Sequence, residues 1–352
     1  MKKISSTIKE IIRDAKKGRM FILVDNKDRE NEGDLVVPAS KINPKKINFM
    51  AKHGRGLICL ALTSKKVKKL NLPLMSLINK SRTQTAFTVS IESKKGISTG
   101  ISAYDRAKTI KVAIKPSSSK KDIVSPGHVF PLVAKNGGVL ERAGHTEASV
   151  DISKLAKLNP SAVICEVMNE DGTMARYKDL IPFAKKHRLK IAKIEDLISH
   201  RLKNERLVKC ITKKKIKIQK FGNFDLKTFR NKLDGLEHYA ITKGKFNPNK
   251  SSRVRVVSTN ILNSFFNFNK NIFKNSLKHL NKFNNFALIL VKGTNSGSIS
   301  SENSRILRYY GVGAQIIKEL KIKKMILVSR SKKRIIALKG YDIKITKQEI
   351  IT

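Results

Sequence analysis

The chain has 352 residues, 40% of them hydrophobic, which suits two ordinary domains with buried cores. No apolar run approaches the ~18–20 residues that cross a bilayer. The formal charge of +47 comes mostly from lysine scattered along the whole length, alongside abundant Asn and Ile, as an AT-rich coding sequence produces by codon bias alone. With tryptophan absent and no basic segment that interleaves aromatics, a dedicated nucleic-acid binder is set aside.

Met1-Lys2-Lys3-Ile4 lacks the apolar block of a signal peptide. The three cysteines, Cys59, Cys165 and Cys210, show no metal-ligand spacing and read as reduced thiols of a cytoplasmic protein. Ile4, Ile8, Ile11, Ile12 and Ala15 recur at helical spacing opposite Lys9, Glu10, Arg13 and Asp14, so an amphipathic first helix is predicted. Residues 20–24 and 56–62 are nearly continuous apolar runs and read as strands buried on both faces. Residues 85–90, with Phe87 and Val89 alternating, read as a half-exposed strand, and 162–168 as another buried one. A helix over 177–187, a short strand over 190–192 and a closing helix over 195–204 follow.

From about Glu205 the chain becomes richer in Lys, Asn and Phe and poorer in carboxylates, which places a domain boundary there. Residues 213–217 read as a linker or first strand, 263–285 as a low-complexity segment, and 293–304 as a Gly/Ser/Asn-rich loop. A helix over 305–320 and a buried strand over 325–329 close the pattern, and no internal repeat is visible.

The densest chemistry follows the first strand. Asp25-Asn26-Lys27-Asp28-Arg29-Glu30-Asn31-Glu32-Gly33-Asp34 crowds Asp28, Glu30, Glu32 and Asp34 around one Arg and one Gly. Carboxylates this close repel one another, so the run is either a solvated turn or a place where a cation or a polyhydroxylated substrate compensates them. A second constellation is Pro126-Gly127-His128-Val129-Phe130-Pro131, followed by Gly137-Gly138-Val139-Leu140-Glu141-Arg142-Ala143-Gly144-His145-Thr146-Glu147. Without a long apolar repeat it reads as Gly-rich loop, letting backbone approach a ligand closely. Arg142 with Thr146 offers a fork of donors and a hydroxyl for a phosphate. His145 is placed to offer a neutral imidazole to a metal.

Glu166 lies inside the apolar run of Val163, Ile164, Cys165 and Val167, where a carboxylate is costly without a partner. It is either a proton shuttle with a raised pKa or half of a structural ion pair. Residues 169–172 form a turn, so Glu170 and Asp171 read as turn residues. Cys59, in an apolar strand, reads as packed rather than nucleophilic.

Together, Asp28-Arg29-Glu30-Asn31-Glu32-Gly33-Asp34, Pro126-Gly127-His128-Val129-Phe130-Pro131, Arg142-Ala143-Gly144-His145-Thr146-Glu147 and Asp171-Gly172-Thr173-Met174-Ala175-Arg176 resemble the motifs of 3,4-dihydroxy-2-butanone-4-phosphate synthase. That enzyme belongs to riboflavin biosynthesis. His53-Gly54-Arg55-Gly56-Leu57-Ile58-Cys59 and Thr99-Gly100-Ile101-Ser102-Ala103-Tyr104-Asp105-Arg106 match it too, in order, across residues 4–204. The resemblance implies an α+β fold, a mixed αβ sandwich, for residues 1–204. It also implies a lyase that converts D-ribulose 5-phosphate to 3,4-dihydroxy-2-butanone 4-phosphate and formate, with two Mg²⁺ or Mn²⁺ ions per site. Carried over residue by residue, Glu30 and His145 would be the metal ligands, and Arg29 and Asp34 would contact the sugar. Arg142, Ala143, Gly144, His145 and Thr146 would lie along the substrate with Glu30 and Glu166, and His128 and Glu166 match the positions essential for catalysis. The family works as a homodimer with its sites near the subunit interface, so a homodimer is implied here.

Residues 205–352 resemble, more weakly, the smaller α/β GTP cyclohydrolase II half of bifunctional riboflavin enzymes. The match is clearest at Ile306-Leu307-Arg308-Tyr309-Tyr310-Gly311-Val312-Gly313-Ala314-Gln315-Ile316-Ile317, continuing through Lys323-Lys324-Met325-Ile326-Leu327-Val328-Ser329 to Gly340-Tyr341. The family's three zinc-binding cysteines have no counterpart around Arg255-Val256-Val257-Ser258-Thr259-Asn260. Its Gln-Glu-Gly-Arg loop is replaced by Gly293-Thr294-Asn295-Ser296-Gly297, and its catalytic Asp by Ile306. Without thiolates there is no tetrahedral soft site, so no zinc is expected and this half is read as folded but inactive. The alternative is a bifunctional enzyme that keeps cyclohydrolase activity. A third reading, a basic polyanion- or membrane-surface binder, predicts steeply salt-dependent association.

Overall fold

The computed structural model describes residues 5–27, 29–76, 78–80, 83–233, 235–259, 270–292, 302–331 and 343–351. They group into two compact units that divide between Ile198 and Ser199, each built on its own sheet.

The first helix, α1 (Ile8–Lys16), starts where Thr7 caps the amide of Glu10 and Glu10 returns the contact, a reciprocal capping box. It buries Ile8, Ile11 and Ala15 as the periodicity requires. Asp14, read as polar-face, is buried as well, because Lys190 meets it at 3.1 Å. Ile4 lies outside the described residues.

The strands of this unit are β1 (Phe21–Val24), β2 (Gly33–Pro38), β3 (Cys59–Thr63), β4 (Ile91–Ser93), β5 (Ile123–Ala134), β6 (Ala162–Glu166) and β7 (Lys190–Lys193). They lie in the order β4-β5-β3-β6-β2-β1-β7. Pairing is mixed: β1–β7 and β3–β5 are parallel, the other neighbours antiparallel. β1 is buried along its whole length, as a continuous apolar run should be, and so is β2, which includes Asp34. Residues 56–58, expected within a strand, precede β3, and residues 85–90 make only isolated bridges at Phe87 and Thr88.

Helices α2 (Pro44–Phe49), α3 (Ser64–Leu70), α4 (Ala103–Ile114), α5 (His145–Leu155), α6 (Tyr177–Lys186) and α7 (Ile194–Asn204) complete the unit, which divides from its neighbour inside α7. Two elements correct the expectation of a Gly-rich loop. Residues 126–131 lie within β5, where Pro131 pairs with Leu60 and its carbonyl accepts from the Thr88 N–H at 3.0 Å. Residues 145–147 open α5, which is buried over 145–153 and so carries no amphipathic signature.

The second unit holds β8 (Val208–Ile218), β9 (Gly222–Asn231), β10 (Glu237–Lys243), β11 (Ser251–Thr259), α8 (Lys270–Leu280), β12 (Phe286–Lys292), α9 (Glu302–Glu319), β13 (Lys324–Ser329) and β14 (Lys344–Ile350). The sheet runs β14-β13-β11-β12-β10-β9-β8. Residues 213–217 belong to the edge strand β8, and part of the low-complexity segment is α8. Phe224, Ile241, Leu277, Phe286 and Leu288 form its core. Asn260, residues 261–269, Gly293-Thr294-Asn295-Ser296-Gly297 and Gly340-Tyr341 lie outside the described residues, as do the side chains of Ile306 and Arg308.

Candidate active site

The acidic run is the connection between β1 and β2, and Asp25 sets its shape. One carboxylate oxygen of Asp25 accepts the Glu32 N–H at 2.9 Å, and the other accepts the Glu30 N–H at 3.3 Å and Arg29 Nη1 at 2.7 Å. Arg29 also pairs with Glu30. The chain turns at Asn31, whose φ of 56° lies in the left-handed region. Arg176, at the N-cap of α6, donates to the carbonyls of Glu30 and Asn31 and to Glu32 Oε1. Asp28 lies outside the described residues.

The loop delivers Asp34 into the middle of the sheet, beside Leu23 of β1 and Glu166 of β6. Burial pushes the Asp34 carboxyl well above the usual carboxylate range, and Glu166, Glu30 and Asp25 push it further. Burial also raises Glu166, against the pull of the Leu57 N–H that donates to its Oε2 at 2.9 Å. Residue 56 must be glycine for this, since a Cβ there would sit 2.6 Å from Glu166 Oε2. Among the described residues Glu166 thus makes no ion pair with a basic side chain; it accepts from a backbone amide and stands opposite another acid.

The start of α5 closes the site from the other side. His145 Nδ1 stands 3.7 Å from Asp34 Oδ1 and 4.0 Å from Glu30 Oε2. Asp25, Glu30 and His145 offer one ligand atom each, all within 4.8 Å of one another. Within this group Asp25 also holds Arg29 and two amides, and Glu30 holds Arg29 as well. Burial and the nearby Arg29 charge lower the His145 pKa to about 3, so the imidazole is neutral, the form that binds metal. Its Nε2 is buried without a well-formed hydrogen bond among the described residues. Carboxylate oxygens beside one neutral imidazole are a donor set that fits a divalent cation.

Gly144 is the N-cap of α5 and, having no side chain, makes no side-chain capping bond to the first turn. Thr146 is buried in that turn, and Ala143 precedes the cap. Arg142 reaches across Gly144: Nη1 meets Glu147 Oε2 at 2.7 Å, and Nη2 donates to Thr85 Oγ1 at 2.8 Å and the Thr83 carbonyl at 3.0 Å. A Cβ on residue 144 would lie 2.5 Å from Arg142 Nη1, so only glycine permits this crossing.

The structure therefore brings Arg29, Glu30, Asp34, His145 and Glu166 together, and sets Arg142, Ala143, Gly144 and Thr146 at the helix start. His128, on β5, engages Glu92 of β4 through Nδ1, with its side chain 44% exposed. Sequence reasoning passed over Asp25, Glu92 and Arg176 as site residues. Asp25 carried a usable signal, being the polar residue that ends an apolar strand and opens the acidic run.

A mixed αβ sheet bearing buried carboxylates within reach of a neutral imidazole fits an enzyme that uses a divalent cation. The family model for 3,4-dihydroxy-2-butanone 4-phosphate synthase matches residues 9–200, and that for GTP cyclohydrolase II matches residues 209–296 and 275–349. The chain belongs to the 3,4-dihydroxy-2-butanone 4-phosphate synthase family, and its activity is that of this lyase of riboflavin biosynthesis. It is 43% identical to the riboflavin biosynthesis protein RibBA of Aquifex aeolicus, over 97% of this chain and 91% of that one. The crystal structure of RibBX, a two-domain synthase from A. baumannii, is similar with a TM-score of 0.85 and 40% identity, covering 99% of both chains. A synthase structure in complex with two magnesium ions is similar with a TM-score of 0.54 and 37% identity, covering 56% of this chain and 98% of that one.

Proposed function

We propose that the first unit acts on D-ribulose 5-phosphate, yielding 3,4-dihydroxy-2-butanone 4-phosphate and formate, with two Mg²⁺ or Mn²⁺ ions per site held by Glu30 and His145. Bound there, the cations supply the Lewis acidity that offsets an enediolate charge on the substrate. Arg29 and Asp34 orient the sugar. Arg142 and Thr146, with the amides that follow Ala143 and Gly144, take the phosphate. Asp34 and Glu166 hold protons more tightly than ordinary carboxyls, which suits a group that accepts and returns one. His128 and Glu166 are the catalytic pair of this reading. The observation that supports it most is the convergence of His145 on Asp34 and Glu30, at 3.7 and 4.0 Å. Formate release from ribulose 5-phosphate with Mg²⁺, and its loss on adding EDTA, is the test; EDTA-insensitive turnover sinks the metal assignment.

Residues 1–204 are taken as the synthase domain and 205–352 as a cyclohydrolase II-like domain without turnover or zinc. Cys210 is the one cysteine in the latter, against the three thiolates that chemistry needs. The likeness to a chain named RibBA favours a second reading in which both activities persist. Zinc content and formate release from GTP decide between them. We place the protein in the cytoplasm as a homodimer without a nucleic-acid partner, and sedimentation velocity tests the dimer. No helix among the described residues is long and apolar enough to cross a membrane.

A further inference from the structure

The segment that ends in Arg176 is given no task by the reaction just described, yet it touches the acidic loop at three points. The guanidinium Nη1 donates to the carbonyl of Glu30, to the carbonyl of Asn31 at 3.3 Å and to Glu32 Oε1 at 3.3 Å. Asp25 holds the same stretch from the opposite side, by its amides: Glu30 N–H at 3.3 Å and Glu32 N–H at 2.9 Å. The peptide groups flanking Glu30 are thus gripped by an acid through their donors and by a base through their acceptors. Asn31, left-handed at φ 56°, is held between the two grips.

Arg176 is itself anchored to both walls of the site. Behind it, the chain leaves β6 at Glu166 and folds back through a hairpin, with Asn169 N–H to the Thr173 carbonyl at 2.7 Å and Ala175 N–H to the Val167 carbonyl at 3.0 Å. Ahead of it, α6 begins, with Asp179 accepting the Arg176 N–H at 2.9 Å. That helix seats Leu180 on Gly33, where a Cβ would come within 2.3 Å of Leu180 Cδ1. The guanidinium therefore spans from a frame tied to Glu166 and β2 to the loop that bears Glu30.

We propose that Arg176 is a positioning residue for the divalent cation: it sets where Glu30 presents its carboxylate by fixing the backbone on both sides of it. This rests on the reading that Glu30 is a metal ligand. Contacts one step removed from a metal ligand commonly change metal affinity by 10–100-fold. All three contacts come from one guanidinium nitrogen, Nη1, whose place is set by the planar group that bears it; a lysine keeps the charge but carries its ammonium on a flexible stem.

The experiment is Mn²⁺ binding to the full chain without substrate, followed by the paramagnetic resonance signal of free Mn²⁺, for wild type, Arg176→Ala, Arg176→Lys and Glu30→Gln. Arg176→Ala is expected to weaken Mn²⁺ binding about tenfold and to raise the Mg²⁺ needed for half-maximal formate release equally. Its kcat at saturating Mg²⁺ should stay within about threefold of wild type. Arg176→Lys should fall between the two, and it carries the test if the alanine variant does not fold. Wild-type Mn²⁺ affinity in the folded lysine variant, or a fall in kcat that saturating metal does not restore, overturns the proposal. Should Glu30→Gln bind Mn²⁺ like wild type, the ligand assignment fails and the proposal with it. Should Glu30→Gln lose Mn²⁺ while both Arg176 variants keep it, positioning alone is refuted.

Discussion

Asp34 and Glu166 stand directly opposite each other in the antiparallel register of β2 and β6, two acids on neighbouring central strands. Burial raises the proton affinity of both; the Glu166 charge adds to the rise at Asp34, and the Glu30 charge adds to the rise at Glu166. A folded-state pKa above the unfolded value gives a contribution that is complete below the unfolded pKa, near 4, and is lost as pH rises toward the folded value. Metal-free protein is therefore destabilised by these acids at pH 8 and little at pH 4. Asp34→Asn should raise the Tm of metal-free protein at pH 8 by about 2–4 °C, with the gain shrinking toward pH 4. Formate release should fall at least ~10²-fold. Scanning calorimetry across pH, beside the activity assay, checks both, and a variant less stable than wild type at pH 8 contradicts the argument.

The neutral imidazole of His145 titrates the other way. Its folded-state pKa of about 3 lies below the unfolded value near 6.5. Stability from keeping it neutral is present above pH 6.5 and declines as pH falls toward 3. Between pH 7 and pH 5 this group alone should cost metal-free protein about 2 kcal/mol. His145→Asn should flatten that limb in urea titrations. An unchanged acid limb would place the dependence elsewhere.

Metal removal gives a third expectation. Glu30→Gln and His145→Ala should each abolish formate release while leaving the circular dichroism spectrum intact. Mg²⁺ at 100 times its Kd should stabilise the wild type by about 2.7 kcal/mol and these variants not at all. Near-normal turnover in either variant would remove that residue from the metal site.

Glu147 is 1% exposed and holds Arg142 at 2.7 Å, while the Lys135 N–H donates to its other oxygen at 3.1 Å. Arg142 is thereby fixed in direction, as the proposed phosphate contact requires. Glu147→Gln keeps the shape but loses the charge, so KM should rise about tenfold, or 1.4 kcal/mol, with kcat within about threefold. Steady-state kinetics separate the two; a loss confined to kcat would move Arg142 from phosphate binding to the chemical step.

The segments that carry the chemistry were legible as residue strings, because reactive groups must be of particular types wherever the fold puts them. The acidic run, the Arg142–Thr146 stretch and the acid at the end of an apolar strand all stood out that way. The elements bearing them were less legible. Residues 126–131 hold two prolines and a glycine, a local argument against a strand, yet pairing with β3 and β4 makes them one. Buried all round over 145–153, α5 lacks the amphipathic rhythm by which a helix is read from sequence. Asp14 was assigned to water because the lysine that neutralises it, Lys190, is 176 residues further along the chain.

By itself the sequence determined which chemical groups exist and how they are strung: carboxylates after one strand, an imidazole after one glycine, no trio of thiolates in the second half. Tertiary structure decided which of them share a charge environment. Proton affinity and metal affinity depend on burial and on neighbours within a few ångströms, and those neighbours come from strands and helices far apart in the chain.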